Sequence, residues 1–351
     1  MKPISMNSQP PHHKGQHGLT LIEVMIAITI SLILLAGVMQ IFTGSRQTYR
    51  VQDNMARLQE NGRFAISFLS KDLRMAGYTG CTSKSTTVTV IATNTAASFP
   101  NGGLTGYEYA ALPITLTATD TLTAAMVLPG TDIVQIKGAS STGVNMTGNL
   151  ATVNANIQLL TATADGLFTA GDILFISDCT NADIFAATNV SNGAGTTTIA
   201  HAAGNTTNNL SRTYGTDADV MRMENSVYYI AADTTNNNIP TLYRKRMVGV
   251  AMVTEPLVEG VEDMEILYGE DTDAPATPDG SANRYVAADT PGLNMTNVVS
   301  VRLNLLLRSS ENNLATGTKQ TYSFNGNSVI ATDYRLRRVF STTIKVRNKG
   351  L

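Results

Sequence analysis

The pattern of apolar and polar positions sets the amino end of the chain apart from the rest. Residues 1–18 are polar, contain no Asp or Glu, and carry Lys2 and Lys14. They are followed by a 24-residue apolar run, 19–42, whose one charged residue is Glu23. As an α-helix this run would extend ~36 Å at about 1.5 Å per residue, which is enough to cross a hydrocarbon core of roughly 30 Å. The run therefore predicts a membrane-spanning helix.

After this run the pattern becomes amphipathic. The apolar positions recur at steps of three, four or seven residues: Val51, Met55, Leu58, Ala65, Leu69 and Leu73. That spacing places them on one face of a helix. No proline lies between Pro11 and Pro100, and Gly77 and Gly80 end the pattern. The sequence thus predicts that the helix continues through residues 43–80 and packs its apolar stripe against a globular head.

The remaining chain predicts β-structure. Alternating segments indicate eight strands: Thr86–Ala92, Asp132–Lys137, Asp172–Ser177, Asp219–Met223, Ser226–Ala231, Thr241–Met247, Val298–Arg308 and Arg338–Arg347. A helical turn is expected near Pro256–Glu265. Residues 81–215 are rich in Thr and Asn and poor in charge, which is typical of an insert or long loops, whereas residues 216–351 are more charged and more regular. The predicted fold class is α+β, with one long N-terminal helix packed on a mainly antiparallel head.

The composition limits the kinds of functional site that the chain can contain. The net charge is −2 and charged residues are 15 % of the chain, so charge alone does not indicate a nucleic-acid partner. Three of the four histidines, His12, His13 and His17, lie in the polar leader, which leaves His201 and two cysteines for the body. A His/Cys zinc site needs three or four clustered ligands, and no nucleophile or phosphate-loop pattern is present. The sequence therefore favours a protein without catalytic residues, bound metal or cofactor over a membrane-anchored enzyme.

Glu23 connects these observations to a known family. A carboxylate within a membrane helix costs roughly 2.5–3.5 kcal/mol on insertion scales, so it normally has a partner or a function. Gly18, Leu19, the Thr-Leu-Ile run 20–22 and Glu23, behind a basic leader, resemble the cleavage and methylation motif of type IV prepilins. The family most often has Phe where Leu19 stands.

The prepilin resemblance implies three things about the N-terminus. Prepilin peptidase would cut between Gly18 and Leu19, and the new amine of Leu19 would be N-methylated. Glu23 would attract the first-residue amine of a neighbouring subunit during assembly. The leader would lie in the cytoplasm and the head in the periplasm, with the chain held as a single-pass protein in inner-membrane lipid until it enters the pilus fibre or tip at the cell surface.

Three stretches in the C-terminal part resemble one subgroup of this family. Leu257–Gly269, Val298–Ser309 and Arg335–Asn348 are similar to the PilW-type minor pilins, which are related to the GspJ pseudopilins. The resemblance implies a pilin-like fold and a minor pilin that helps prime pilus assembly at the tip, with other minor pilins and the major pilin as partners. Two alternatives stay open: a pseudopilin of a type II secretion system, and a tip adhesin or DNA-binding minor pilin.

The remaining candidate groups are two cysteines and two kinds of charged cluster. A periplasmic body would allow Cys81 and Cys179 to form a disulfide. Four acids in one loop could offer oxygen ligands to Ca²⁺, but their spacing is not that of an EF-hand and a solvated loop is favoured: Glu270, Asp271, Asp273 and Asp279. Two basic clusters could contact DNA phosphates, but they lie in predicted strands and surface charge is favoured: Arg244–Arg246, and Arg335 with Arg337 and Arg338.

Overall fold

The structure, a computed structural model, describes residues 18–80, 87–273, 278–315 and 317–349. It consists of two compact units, one ending at Asp53 and one beginning at Asn54. Helix α1 spans Leu21–Met75 and contributes to both units, and a short helix α2 spans Thr161–Ala164. Among the described residues, α1 is the one helix long and apolar enough to cross a membrane. The long N-terminal helix predicted from the sequence is therefore present.

The described residues form nineteen strands, most of them antiparallel. Their bounds are β1 Thr87–Val90, β2 Leu104–Tyr107, β3 Ile114–Thr115, β4 Thr121–Leu122, β5 Ile133–Asn145, β6 Ile157–Leu160, β7 Ile173–Ser177, β8 Asn181–Ala186, β9 Asn189–Gly193, β10 Thr196–Ala200, β11 Asp219–Asp233, β12 Ile239–Val248, β13 Ala251–Glu259, β14 Val261–Glu270, β15 Arg284–Val286, β16 Val298–Arg308, β17 Thr321–Phe324, β18 Asn327–Ile330 and β19 Arg337–Lys345.

The largest sheet has eight strands and is organised around β11. One edge of β11 pairs with β5, which pairs in turn with β2. The other edge pairs with β7 over residues 219–222 and with β12 over residues 226–233. Strands β8 and β1 continue the sheet beyond β7, and β13 continues it beyond β12. The pair of β1 and β8 is parallel, whereas the other pairs in this sheet are antiparallel.

A second sheet of four strands has the order β15-β14-β16-β19, and β6, β10 and β9 form a third. Two hairpins, β3-β4 and β17-β18, complete the strand pairing. The four-stranded sheet faces the second half of α1. Alternate residues of β16 are buried there, among them Val301, Leu303 and Leu305. They pack in one core with the helix residues Leu58, Ala65, Leu69 and Leu73.

A polar contact adds to this apolar packing near the end of α1. The Tyr228 hydroxyl of β11 donates to Oδ2 of Asp72 at 2.6 Å. The same carboxylate lies 3.7 Å from Arg244 of β12. Helix α1 ends shortly afterwards, and Gly77 adopts a left-handed φ of +76°. A helix that ends in such a glycine satisfies its last carbonyls by turning away from the helical path.

The predicted α+β class with a mainly antiparallel head is confirmed, but two local predictions were wrong. Pro256–Glu265 is not a helical turn, because it contains the end of β13 and the start of β14, which are joined at Gly260, whose φ is +82°. Proline is tolerated in β13 because this strand is at the edge of its sheet. The strands predicted at Asp219–Met223 and Ser226–Ala231 are one strand, β11, since a bulge near Met223 bends the chain without ending the pairing.

Candidate processing and assembly site

The predicted cleavage point lies just before the first turn of α1. Leu19 is 80 % exposed, and the helix begins two residues later at Leu21. The Thr20 backbone N–H and the Thr20 hydroxyl each donate to Oε2 of Glu23 at 2.9 Å. The Glu23 backbone N–H donates to the Thr20 hydroxyl oxygen at 3.3 Å. Thr20 and Glu23 thus form reciprocal hydrogen bonds across the start of the helix.

This arrangement is a capping box, in which a Thr and the Glu three residues later satisfy backbone donors that lack helical partners. The carboxylate also lies at the positive end of the helix dipole, where negative charge is favoured. Sequence reasoning named Glu23 but overlooked Thr20 as its partner, although the T-x-x-E spacing is a recognised signal. In this structure the Glu23 carboxylate therefore already has a local partner.

The helix that follows presents its apolar side chains outwards. Every large apolar side chain from Leu21 to Phe42 is exposed. The Thr29 hydroxyl bonds within the helix, because it donates to the Met25 carbonyl at 2.8 Å. An exposed apolar helix whose polar groups are satisfied internally suits a lipid environment. The motif residues and a candidate membrane anchor are therefore contiguous.

The structure describes one of the two cysteines. Cys81 lies outside the described residues. Cys179 follows β7 and has a left-handed φ of +73°. The backbone immediately before Cys81 reaches the same neighbourhood, since a Cβ built on Gly80 would lie 3.3 Å from Cβ of Ser177. The predicted pairing of the two cysteines stays a prediction.

The four acids of the predicted acidic loop separate into two groups. The Glu270 carboxylate is buried and accepts from Arg284 at 2.8 Å and from the Asn294 N–H at 2.9 Å. The carboxylates of Asp271, Asp273 and Asp279 lie within 4.8 Å of one another. Asp271 accepts the Gly280 N–H at 3.0 Å. Among the described residues, these bonds are internal to the chain, and they do not point to a bound ion.

Most cations of the two basic clusters form ion pairs within the head. Arg244 and Arg246 both pair with Glu255 on the neighbouring strand β13. Lys245 points the opposite way and contacts Asp120 at 2.6 Å. In the second cluster, Arg337 pairs with Glu262 and Asp333 at 2.6 Å each, Arg335 pairs with Asp333, and Arg338 lies over the ring of Phe340. Their contacts are those of an internal ion-pair network.

His201, the one histidine of the body, is buried. Its Nε2 lies 3.0 Å from the Ala155 carbonyl oxygen, and its ring meets Phe185 edge-on with 5.6 Å between ring centres. These contacts place His201 in the core of the smaller sheets. Such an imidazole supports packing and does not form part of a Ser-His-Asp arrangement among the described residues.

Two family models match the chain at the places that the sequence singled out. Residues 13–39 match the prokaryotic N-terminal methylation motif, and residues 227–348 match the type IV pilus-assembly protein W family. No curated protein matches the chain. A solved structure with which it aligns is a type IV-like pilin, TTHA1219 from Thermus thermophilus, at 12 % identity and a TM-score of 0.34, covering 84 % of this chain and 98 % of that one. The chain is thus similar to the PilW family over residues 227–348 and to the prepilin-type methylation motif over residues 13–39.

Proposed function

We propose that this protein is a minor type IV pilin that helps prime pilus assembly and takes a place in or near the pilus tip. The observation that carries the proposal is the exposed Gly18–Leu19 bond directly before a helix that begins with a Thr20–Glu23 capping box. The pilin motif implies processing by prepilin peptidase and assembly with other pilins. The PilW domain supports the minor-pilin role and a structural, non-enzymatic function.

The processed chain would begin with the methylated amine of Leu19. While it waits in the inner membrane with its head in the periplasm, Thr20 would hold the Glu23 carboxylate at the helix start. During assembly the amine of a neighbouring subunit would compete for that carboxylate. Opposite charges attract strongly in a medium of low dielectric constant, so the exchange of a hydroxyl partner for an amine is favourable there. Glu23 would thereby set the position of the incoming helix along its neighbour.

The first test is the intact mass of the protein from membranes with and without prepilin peptidase. We expect a peptidase-dependent loss of residues 1–18 and the addition of one methyl group at Leu19. Retention of the leader in both strains would refute processing. Deleting the gene and counting pili then distinguishes a type IV pilus from a type II secretion system. Loss of a minor pilin reduces the number of pili, whereas loss of a type II secretion pseudopilin reduces protein export.

Substitutions at the capping box test the role of Glu23. Glu23→Gln keeps the size of the side chain and removes the charge, so we expect normal cleavage and few pili. Thr20→Ser keeps the hydroxyl and is the matched control for Thr20→Ala, which removes the cap at a cost of about 1 kcal/mol. Normal piliation with Glu23→Gln would refute the charge-based role.

A disulfide between Cys81 and Cys179 is part of the same proposal. Its support is indirect. A Cβ built on Gly80 would lie 3.3 Å from Cβ of Ser177, and Thr87 is in register with Asn181, so the chain comes near Cys179 on both sides of Cys81. Closure of a loop of this size would stabilise the head by ~4–5 kcal/mol in the chain-entropy model. The mass of the alkylated protein before and after reduction measures the bond directly, and two thiols alkylated without reduction would exclude it.

A further inference from the structure

The end of helix α1 leaves part of one face of the eight-stranded sheet uncovered, and a cleft of about 630 Å³ opens there. The Tyr228 hydroxyl of β11 reaches Asp72 of α1, so the helix packs on this face. Ser226, two residues earlier on β11, lies on the same face, opposite Ile136 of β5 and Arg246 of β12. These three residues form the floor of the cleft, and the last turn of α1 forms one wall.

The tip of the β12–β13 hairpin contributes a second, apolar wall. Val248 is 44 % exposed, and a Cβ built on the neighbouring Gly249 would lie 3.9 Å from Oδ1 of Asp172. Three methionines also line the cleft: Met75, Met223 and Met247. Methionine side chains adapt to partners of different shape. The cleft therefore offers adaptable apolar contacts beside its charged groups.

Cationic groups at the cleft keep donor atoms that the head does not use. Lys71 is exposed, and its amine has no ion pair or hydrogen bond in the part of the chain that the structure describes. Arg246 pairs with Glu255 through Nε alone, which leaves both of its Nη atoms without a partner among the described residues. Arg222 bonds one oxygen of Asp172 through Nε and Nη2, at 3.1 and 2.8 Å, which leaves Nη1. Cationic groups with unused donors are suited to carboxylates and phosphates.

The acidic groups of the cleft are fewer, and two of them already have partners. Asp72 accepts from Tyr228, and Asp172 accepts from Arg222. Glu224 is the one carboxylate of the lining that has no hydrogen bond or ion pair within the described residues. Three cations with unused donors thus line the cleft together with one unpaired carboxylate. This excess of positive charge favours an anionic ligand.

We propose that this cleft binds an extended acidic segment of a partner protein, whose carboxylates pair with Lys71, Arg222 and Arg246. Ligand pockets of roughly 300–1,000 Å³ enclose several chemical groups, so a cleft of this size suits a short peptide better than one small anion. A floor of three strands accommodates an extended backbone, and the apolar wall receives the side chains that alternate with the carboxylates. The inference concerns the head alone and goes beyond the proposed role in pilus assembly.

A nucleic acid is the competing anionic ligand, and the lining of the cleft disfavours it. Proteins that bind single strands stack the bases on aromatic side chains, and no described residue of this lining is aromatic. A continuous phosphate chain would also approach the carboxylate of Glu224. Carboxylates on alternate residues of an extended peptide are about 7 Å apart, so a peptide can place them at the basic groups and keep them away from Glu224.

Fluorescence anisotropy with the mature full-length chain in detergent tests the proposal. The probe is a fluorescein-labelled hexapeptide of alternating Glu and Val, and its control has Gln in place of each Glu. We expect only the acidic probe to bind, with an affinity that falls as NaCl is raised. Lys71→Gln and Arg246→Gln should each weaken binding by roughly three- to tenfold. Glu224→Gln should tighten binding, because it removes a repulsive charge.

Matched controls come from exposed cations outside the cleft. Lys319→Gln and Arg338→Gln make the same changes of charge elsewhere on the head and should leave binding unaltered. Lys71 has no partner to lose, so a folding defect cannot explain weaker binding in Lys71→Gln. Equal binding of the two probes, unchanged affinity in both Lys71→Gln and Arg246→Gln, or preferred binding of labelled oligothymidine would overturn the proposal. Self-association of the chain that Lys71→Gln abolishes would overturn it as well, because the cleft would then hold a second copy.

Discussion

Gly62 of α1 offers a sharp test of how the helix packs on the four-stranded sheet. It is one of the buried residues of the helix, and it faces the ring of Phe340 on β19. A Cβ at this position would lie 2.4–2.6 Å from three atoms of that ring. Side chains do not approach so closely, so Gly62→Ala requires the ring or the helix to move.

Two opposing effects set the magnitude of the change in stability. Alanine favours the helix over glycine by roughly 1 kcal/mol, whereas overpacking a well-filled interface costs about 1–3 kcal/mol. With three ring atoms inside the contact distance, we expect overpacking to dominate. The net loss in the free energy of unfolding is then up to ~2 kcal/mol, which lowers Tm by up to about 4 °C for a head of this size.

The assay is thermal unfolding of the mature chain in detergent, followed by circular dichroism. Gly44→Ala is the matched control, because no atom lies within 4 Å of a Cβ built at Gly44, and it should not lower Tm. In a Phe340→Ala background the obstacle is gone, so Gly62→Ala should become neutral or stabilising, which a double-mutant cycle detects. An equal loss in both backgrounds would refute the steric reasoning.

Two further predictions concern buried cations. Burial lowers the pKa of Lys349 to about 7, so between about pH 7 and about pH 10.5 the amine is neutral in the folded protein and protonated in the unfolded chain. The free energy of unfolding therefore rises with pH across this window. Urea denaturation at a series of pH values should show a shallower rise for Lys349→Met, and an unchanged slope would contradict this reasoning. The Arg337 side chain is 3 % exposed and pairs with both Glu262 and Asp333. Glu262→Gln leaves Asp333 as a partner, so it should cost roughly 1.5–3 kcal/mol, the range for a hydrogen bond to a charged group, against less than ~1 kcal/mol for Arg246→Gln in a more exposed pair. Equal losses in urea denaturation would contradict the role of burial.

The elements that could be predicted from the sequence are those with a long and regular local pattern. The strand predicted at Val298–Arg308 coincides with β16, because its alternate residues face one core. Helix α1 was predictable for the same reason, since Leu58, Ala65, Leu69 and Leu73 keep a helical period over four turns. Both patterns contain more repeats than a chance run of apolar residues would produce.

The error at Pro256–Glu265 has a physical cause. Val261, Met264 and Ile266 are buried on one side of β14, and a bulge between Val261 and Asp263 makes the first interval three residues instead of two. An interval of three followed by one of two imitates a helical period. Only the pairing with β16, whose partner residues lie 28 to 46 positions further along the chain, establishes that the segment is extended.

The same distinction between local and distant partners separates the Thr20–Glu23 contact from the Asp132–Ile266 contact. Thr20 and Glu23 are three residues apart, so their contact follows from helix geometry, and the T-x-x-E spacing predicts it. Asp132 and Ile266 are 134 residues apart, and their hydrogen bond exists only because β5 and β14 belong to sheets that meet in the head. Sequence spacing carries no information about such a meeting. A change in sheet register would leave the N-terminal motif intact and remove the hydrogen bond of Asp132, so the two contacts are independent: Asp132→Asn should lower the Tm of the head and leave cleavage at Gly18 unaltered.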